Sequence, residues 1–349
     1  MTVKVVHWGT GNTGTMALKG IIGHPELELV GCYVARPERA GKDAGELIGL
    51  APVGVTTTND VEELLALEPE CLSFFGVGPT SIDDVSRFLR AGVNVVTTSL
   101  AQFILPQFAP AAMIDPVNDA CAAGNASLFA TGVEPGIGSD LVPETLLSFV
   151  DEATYIHVRE IAIYRHAGGA SMRAFGFGVP AGETPALFVD NRLEPIWGGV
   201  ARHLARSIGR PADSIEIETD TWVTPTDIEM EWGVVPANHV GAIRFQVFAV
   251  SNGTRVACVE HVSRTALDQA PDWPRGAFGK DTVYTVHTEG RPPLRCEIDL
   301  PFFGDEQDGG LIATAMRAVN GIPYVVAAAH GVLEPNDVAA RASRKNTGI

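Results

Sequence analysis

The residues with the clearest chemical meaning are three glycines near the start of the chain. Gly9, Gly11 and Gly14 form a G-x-G-x-x-G pattern, which follows an apolar segment at residues 3–8 and precedes a helical stretch at residues 15–22. In this setting the glycines permit a tight turn, the approach of a pyrophosphate to the backbone, and close packing of helix on strand. The positive helix N-terminus then faces the phosphates. The pattern predicts a dinucleotide site formed by the whole loop, Gly9, Thr10, Gly11, Asn12, Thr13 and Gly14.

The loop after the second predicted strand bears on which dinucleotide binds. Enzymes that use NAD commonly carry an acidic residue at this strand end, where it binds the ribose hydroxyls. Here the segment at residues 33–39 reads YVARPER, so that Arg36 and Arg39 follow a strand end without an acidic residue. A guanidinium group can clamp the 2′-phosphate of NADP. These residues favour NADP(H), with NAD(H) as the alternative cofactor and a solvated basic turn as the alternative interpretation.

Elements that could position such a site alternate through the first half of the chain. Apolar strands and helices follow one another from residue 3 to about residue 150, which predicts an α/β fold with a Rossmann-type, doubly wound parallel sheet. In such a sheet, ligands bind beyond the carboxyl ends of the strands. We therefore expect cofactor contacts from two further strand-end loops, through Gly76, Gly78, Thr98 and Ser99.

The second half of the chain has a different pattern. Long alternating apolar segments, joined by turns such as Ser251–Gly253, predict an α+β domain built on a mostly antiparallel sheet. We expect a dinucleotide-binding domain at residues 1–138 and a substrate and dimerisation domain at residues 139–310. Residues 311–349 should form a helix that returns to the first domain, followed by a polar tail. This helix is predicted to end at residue 319, before the sequence Asn-Gly-Ile-Pro at residues 320–323.

Charge and cysteine content limit the classes of partner. The formal net charge is −17 in 349 residues, so nucleic acid and anionic membranes should be repelled. The five cysteines are far apart and form no C-x-x-C pair, which indicates reduced thiols in a cytoplasmic protein and no metal site. The first residues already resemble a core strand, so we expect no signal peptide. The composition, with 46% hydrophobic and 19% charged residues, is typical of a soluble two-domain enzyme.

Several later motifs, taken in order, resemble one known group of enzymes. They are GKDAGEL at residues 41–47, GVEPG at 132–136, GFG at 176–178, HVSR at 261–264, PDWP at 271–274 and NGIP at 320–323. Together with the glycine loop, they resemble the dihydrodipicolinate-reductase-like enzymes, and most of all the native amine dehydrogenase and 2,4-diaminopentanoate dehydrogenase group. The resemblance spans nearly the whole chain. It implies reversible, NAD(P)-dependent reductive amination of small carbonyl compounds by a homodimer, with Glu134 and Asn320 close to the cofactor.

Two departures from the group's pattern concern the chemistry. The group carries T-x-x-E-E-L-x-x-P where residues 98–106 read TSLAQFILP, so Ala101 and Gln102 replace the expected carboxylates. Gln102 can orient a substrate but cannot take up a proton at neutral pH, and a general base is typically worth ~10²–10⁴-fold in rate. In the second departure, Glu134 replaces an asparagine. Glu134 either supplies the missing carboxylate or only caps the next helix.

Two further residues are candidate proton donors. Tyr164 and His166 lie two positions apart at the end of the predicted strand 155–164 and therefore point to the same side. Either can protonate a developing alkoxide or amine, or can be purely structural. His7 and Trp8 are expected to pack. Three functions remain open: an amine dehydrogenase, a carbonyl or imine reductase that does not incorporate ammonia, and a non-catalytic NADP-binding sensor or partner protein.

Overall fold

The computed structural model describes residues 2–78, 80–164, 169–277, 282–301, 309–338, 340 and 342. The chain divides into two compact units. The first unit comprises the described residues up to Gly136 together with those from Leu311 onward, and the second unit runs from Ile137 to Gly310.

The first unit is built on a seven-stranded sheet in which every pair of neighbours is parallel. Its strands are β1 (Val3–Trp8), β2 (Leu27–Tyr33), β3 (Thr57–Thr58), β4 (Cys71–Phe74), β5 (Asn94–Thr97), β6 (Ser127–Ala130) and β15 (Gly331–Val332). The order across the sheet is β15-β6-β5-β4-β1-β2-β3. The strands before β4 are therefore added on one side of β1 and the later strands on the other, so the strand order reverses between β1 and β4. This arrangement confirms the predicted doubly wound fold, whose ligands bind at such a switch point.

Among the described residues, four α-helices lie in the first unit and a fifth, α8 (Gly309–Val326), lies in it except for its first two residues; local sequence explains two of the helix ends. The first four are α1 (Asn12–Ile22), α2 (Val61–Leu65), α3 (Ser81–Arg90) and α4 (Ala111–Gly124). The Asp60 side chain caps α2 by accepting a 2.8 Å hydrogen bond from the Glu62 backbone N–H. The helix α4 ends at Gly124, because Asn125 adopts the left-handed conformation that terminates a helix.

The predicted end of α8 is wrong. The helix continues through residues 320–323, including Pro323, and ends at Val326. Its apolar face also continues, since Val319, Ile322 and Val325 are all buried in one core with Phe129 of β6. A proline inside a helix costs roughly 3 kcal/mol, whereas burying each such side chain contributes about 1.5–3 kcal/mol. Tertiary packing therefore outweighs the local breaker.

The second unit contains α5 (Leu141–Leu147), α6 (Gly169–Phe175) and α7 (Gly199–Ser207), and a six-stranded sheet in the order β14-β13-β7-β12-β11-β8. The strands of that sheet are β7 (Glu152–Ile163), β8 (Ser214–Val223), β11 (Val240–Ser251), β12 (Thr254–Arg264), β13 (Val283–Arg291) and β14 (Leu294–Asp299), while β9 (Ile228–Met230) and β10 (Gly233–Val235) form a separate hairpin. All pairs in the six-stranded sheet are antiparallel except β7 with β12. The predicted turn at Ser251–Gly253 joins β11 to β12, with Asn252 and Gly253 both at positive φ, as a two-residue hairpin requires.

Candidate active site

The glycine loop lies between β1 and α1, and its three glycines have different physical roles. Gly9 has a φ of +110°, and a Cβ atom there would lie 2.7 Å from the Phe75 carbonyl oxygen. A Cβ atom on Gly14 would overlap the carbonyl oxygen of Gly9. In contrast, a Cβ atom on Gly11 would meet no protein atom within 4 Å. Gly9 and Gly14 are therefore required by the fold, whereas Gly11 keeps the loop open to an approaching ligand, which fits a bound pyrophosphate.

Positive groups stand on the β2 side of this loop. Arg39 donates a 3.0 Å hydrogen bond from Nη1 to the Thr10 hydroxyl oxygen. Arg36 is exposed at the start of a short 3₁₀ turn, Pro37–Arg39. At the opposite end of the loop, the N–H of Thr15 donates to the Gly11 carbonyl in the first turn of α1. Guanidinium groups and a helix N-terminus thus lie where an anionic cofactor would need them.

Aromatic side chains pack against each other at the same carboxyl edge of the sheet, where β1 and β2 end. The Trp8 ring stacks on Tyr33 with ring centroids 3.6 Å apart, and Trp8 is nearly fully buried. A Cβ atom on Gly76 would come within 2.8 Å of the Trp8 indole nitrogen, so Gly76 is needed for this packing. The next residue, Val77, is 92% exposed, and Gly78 has a φ of +143°. The loop after β4 therefore presents an apolar side chain beside the switch point.

The loop after β5 carries the predicted contacts Thr98 and Ser99. Both are half-buried, and the Ser99 backbone N–H donates a 3.0 Å hydrogen bond to the Thr97 hydroxyl oxygen. The chain then forms a 3₁₀ turn at Ala101–Phe103, which leaves Gln102 half-buried. A polar but non-ionisable side chain thus stands where the family pattern has carboxylates.

Glu134 lies in the loop after β6, at the same carboxyl edge of the sheet. It is extended, with a φ of −150°, and precedes a cis peptide bond to Pro135. The residue is half-buried, and its Oε1 atom is shielded from solvent. The position that caps the next helix, α5, is taken by Asp140, whose side chain accepts a hydrogen bond from the Leu141 backbone N–H. Asp140 is thus the N-cap residue of α5, and the role of Glu134 stays a prediction.

The other predicted site residues have different outcomes. Asn320, expected in a turn, is a half-buried residue within α8. Tyr164 directly follows β7 and donates a 3.1 Å hydrogen bond from its hydroxyl to Glu160 Oε1. His166 lies outside the described residues. Roles in catalysis or cofactor binding for all the candidates stay predictions.

Sequence reasoning missed the hydrogen-bond partner of Tyr164, which is Glu160, and the histidine beside that carboxylate, His261. Glu160 and His261 are both buried, and His261 Nδ1 lies 3.9 Å from Glu160 Oε2. The signal for Glu160 was present, because residues 160 and 164 are four apart on the predicted strand 155–164 and so share one face. The signal for His261 was absent, since its neighbourhood arises only when β12 pairs in parallel with β7.

The GKDAGEL segment acts as a structural element of the first unit. The Asp43 carboxylate accepts hydrogen bonds from the backbone N–H groups of Gly45 at 2.8 Å, Val53 at 3.0 Å and Gly54 at 2.8 Å. These bonds, that from Val53 foremost, lower the pKa of Asp43. Asp43 therefore fixes the loop that leads from β2 to β3.

The described part of the chain contains neither a candidate metal-binding group nor a candidate membrane-spanning helix. No group of three or more His, Cys, Asp or Glu residues there is placed to hold a metal ion. No helix there is long and apolar enough to cross a membrane.

The parallel sheet, the glycine loop and the second, mixed sheet define the class of protein. Together they form a Rossmann-type fold of the kind found in dihydrodipicolinate reductase. A dipicolinate-bound dihydrodipicolinate reductase from Paenisporosarcina sp. TG-14 has this fold, with a TM-score of 0.53 at 11% identity over 97% of this chain and 99% of that one. The fold class predicted from the sequence is thus confirmed.

More similar proteins identify the family. An amine dehydrogenase from Streptomyces virginiae is 34% identical over 348 residues, which cover 97% of each protein. The structure of an amine dehydrogenase from Mycobacterium smegmatis matches with a TM-score of 0.82 and 18% identity, over 99% of this chain and 98% of that one. No family model matches the chain. The chain belongs to the amine dehydrogenase family, which confirms the resemblance seen in its motifs.

Proposed function

We propose that the protein transfers hydride between NADP(H) and a small carbonyl compound, imine or amine, and that Glu134 exchanges the protons of this reaction. Glu134 carries the proposal because it is a half-buried carboxylate after β6, at the carboxyl edge that also holds the glycine loop. In a doubly wound sheet the first three strands bind one mononucleotide of the cofactor and β4 to β6 bind the other. Arg36 and Arg39 stand on the adenosine half, and Glu134 on the nicotinamide half.

The cofactor supplies the hydride, and the protein supplies orientation and proton transfer. When ammonia attacks a carbonyl carbon, a C–N bond forms and the new ammonium nitrogen must lose a proton. The Glu134 carboxylate accepts this proton and returns it to the former carbonyl oxygen, which gives a carbinolamine. Glu134 then takes a second proton from solvent and donates it to the hydroxyl group, so that the C–O bond breaks, water leaves and the iminium carbon can accept hydride. Gln102 can donate an amide N–H to the same oxygen without changing its own protonation state.

The cofactor preference rests on Arg36 and Arg39. We expect wild-type protein to bind NADPH more tightly than NADH, and the double variant Arg36→Ala/Arg39→Ala to lose about 10- to 100-fold in NADPH affinity, the usual value of charged hydrogen bonds. NADH affinity should change little, because NADH lacks the 2′-phosphate. Fluorescence titration measures both dissociation constants. Equal affinity of the wild type for both cofactors would overturn the preference.

The reaction is tested by NADPH oxidation with a panel of small ketones and aldehydes, in the presence and absence of ammonia. Oxidation that requires ammonia supports amination. Oxidation without ammonia supports the second candidate, carbonyl reduction, which the absence of carboxylates at Ala101 and Gln102 favours. Tight NADPH binding without turnover of any member of the panel would leave the sensor function.

The role of Glu134 is tested by Glu134→Gln, which keeps the shape and removes the proton-accepting group. We expect kcat/KM for amination to fall by about 10²-fold or more. Glu46→Gln, at an exposed carboxylate of the same unit, is the matched control and should keep full activity. Full amination by Glu134→Gln would exclude Glu134 as the base.

We also propose that the protein is a homodimer, as its resemblance to the family implies. Light scattering during gel filtration should then give twice the chain mass of 37.0 kDa. A mass of one chain at micromolar concentration would contradict this proposal.

A further inference from the structure

A fully buried histidine lies directly below the glycine loop. His7 occupies the penultimate position of β1, and its Nε2 atom is 2.7 Å from the carbonyl oxygen of Gly9. Its Nδ1 atom is 3.2 Å from the hydroxyl oxygen of Ser73, which lies opposite His7 on β4. Both ring nitrogens therefore have hydrogen-bond partners, one of them in the loop itself.

The two partners determine the tautomer of His7. A carbonyl oxygen can only accept a hydrogen bond, so Nε2 must carry the proton that is shared with Gly9. In the neutral ring Nδ1 is then an acceptor, and the Ser73 hydroxyl donates to it. Burial lowers the pKa of His7 to about 4, so the ring is neutral near pH 7.

The orientation of one peptide group follows from this bond. The Gly9–Thr10 peptide is trans, so the Gly9 carbonyl and the Thr10 N–H point in opposite directions. With its carbonyl held inward by His7, this peptide directs the Thr10 N–H away from His7. Gly9 has no side chain and a φ of +110°, so its own conformation resists a flip of this peptide only weakly.

We propose that His7 is a positioning residue for the cofactor: it holds the Gly9–Thr10 peptide so that the Thr10 N–H is presented to the pyrophosphate. The proposal rests on dinucleotide binding by the glycine loop. It does not depend on a preference for NADP or on the incorporation of ammonia.

Two substitutions at His7 separate the hydrogen bond from the packing. His7→Leu fills the space without a donor, and we expect it to weaken both NADPH and NADH binding by about tenfold. His7→Gln places an amide N–H close to the position of Nε2, so its dissociation constants should stay within about threefold of the wild type. Ser73→Ala removes only the second bond and should have a smaller effect than His7→Leu.

Val6→Ala is the matched control for stability, because Val6 is an equally buried residue of β1 with a purely apolar side chain. It should lower the melting temperature and leave both dissociation constants unchanged. Cofactor fluorescence titrations well below the melting temperatures measure the affinities, and ¹⁵N NMR of the His7 ring identifies its tautomer.

The outcomes are distinct. Weak binding by His7→Leu, recovery in His7→Gln and an Nε2–H tautomer support the proposal. Wild-type affinity of His7→Leu, an equal loss in Val6→Ala, or an Nδ1–H tautomer would overturn it while leaving the cofactor site intact. Failure of the wild type to bind either cofactor would overturn the cofactor site, and the role of His7 with it.

Discussion

The two large sheets of this protein carry polar chemistry in opposite ways. In the first unit, β4, β5 and β6 contain no charged side chain and are almost wholly buried, so chemistry is confined to the loops at the carboxyl edge. In the second unit, charged side chains lie within the strands. Buried Glu260 of β12 accepts hydrogen bonds from Arg159 Nε at 2.5 Å and Arg244 Nε at 2.7 Å, and lies 2.8 Å from His157 Nε2.

The difference follows from how each sheet is covered. A parallel sheet buried on both faces has no room for unpaired charge, and so it presents backbone groups at its edge to a ligand. The second sheet tolerates a buried carboxylate because three neighbouring groups compensate it. Burial alone would raise the pKa of Glu260, but the neighbouring His157 and the charge of Arg159 outweigh it and lower the pKa to about 2.

The largest expected effects concern the first sheet, where the proposed site is formed by the backbone of the glycine loop. Gly14→Ala should prevent normal folding or cost about 3 kcal/mol or more, because its Cβ would overlap the carbonyl oxygen of Gly9.

Gly11→Ala should fold with a nearly unchanged melting temperature yet bind NADPH at least about tenfold more weakly. Thermal unfolding and cofactor titration measure the two effects. Unimpaired NADPH binding by Gly11→Ala would contradict the backbone-based site.

The next largest effect concerns the buried carboxylate of the second sheet. Glu260→Ala leaves Arg159, Arg244 and His157 without their shared carboxylate, and we expect a loss of about 3–5 kcal/mol in the free energy of unfolding. Glu218→Ala is the matched control, because its partner Arg255 lies on the exposed part of the same sheet. There the loss should be below about 1 kcal/mol. Urea unfolding measures both, and similar losses would show that burial does not matter here.

The same carboxylate predicts a dependence of stability on pH. The pKa of Glu260 falls from its ordinary value of 4.5 to about 2 on folding, so ionised Glu260 stabilises the folded state above pH 4.5. As the pH falls from about 4.5 to about 2, roughly 3 kcal/mol of stability should be lost. Unfolding curves of the wild type and Glu260→Gln across this range measure the contribution by difference. An equal acid dependence in both proteins would argue against it.

The smallest effect concerns a local polar contact in the first unit. Asp60→Ala removes the cap of α2 and should cost about 1 kcal/mol. Asp60→Asn keeps a capping oxygen and should stay close to wild type in the same chemical unfolding experiment. A cost similar to that of Glu260→Ala would show that local caps stabilise this protein as much as a buried ionic network does.

Local pattern was sufficient for much of the fold. The alternation of strands and helices and the glycine loop between β1 and α1 depend on residues close in sequence, so the sequence predicted them. The course of α8 through Pro323 was mispredicted, because it depends on a core shared with β6. The Tyr164–Glu160 bond joins a residue of β7 to the residue that directly follows this strand, yet pairing of the phenol with the carboxylate needed the structure.

Sequence by itself determined the family, the dinucleotide loop and the absence of carboxylates at Ala101 and Gln102, because motifs and their spacing are local properties of the chain. Only the tertiary structure decided which glycines serve packing and which leaves space, that Asp140 rather than Glu134 caps α5, and that His7 reaches the Gly9 carbonyl. Each of these depends on atoms that come within contact distance only after strands pair and helices pack. For that reason, a local sequence pattern alone does not show which role each of its residues has in the folded protein.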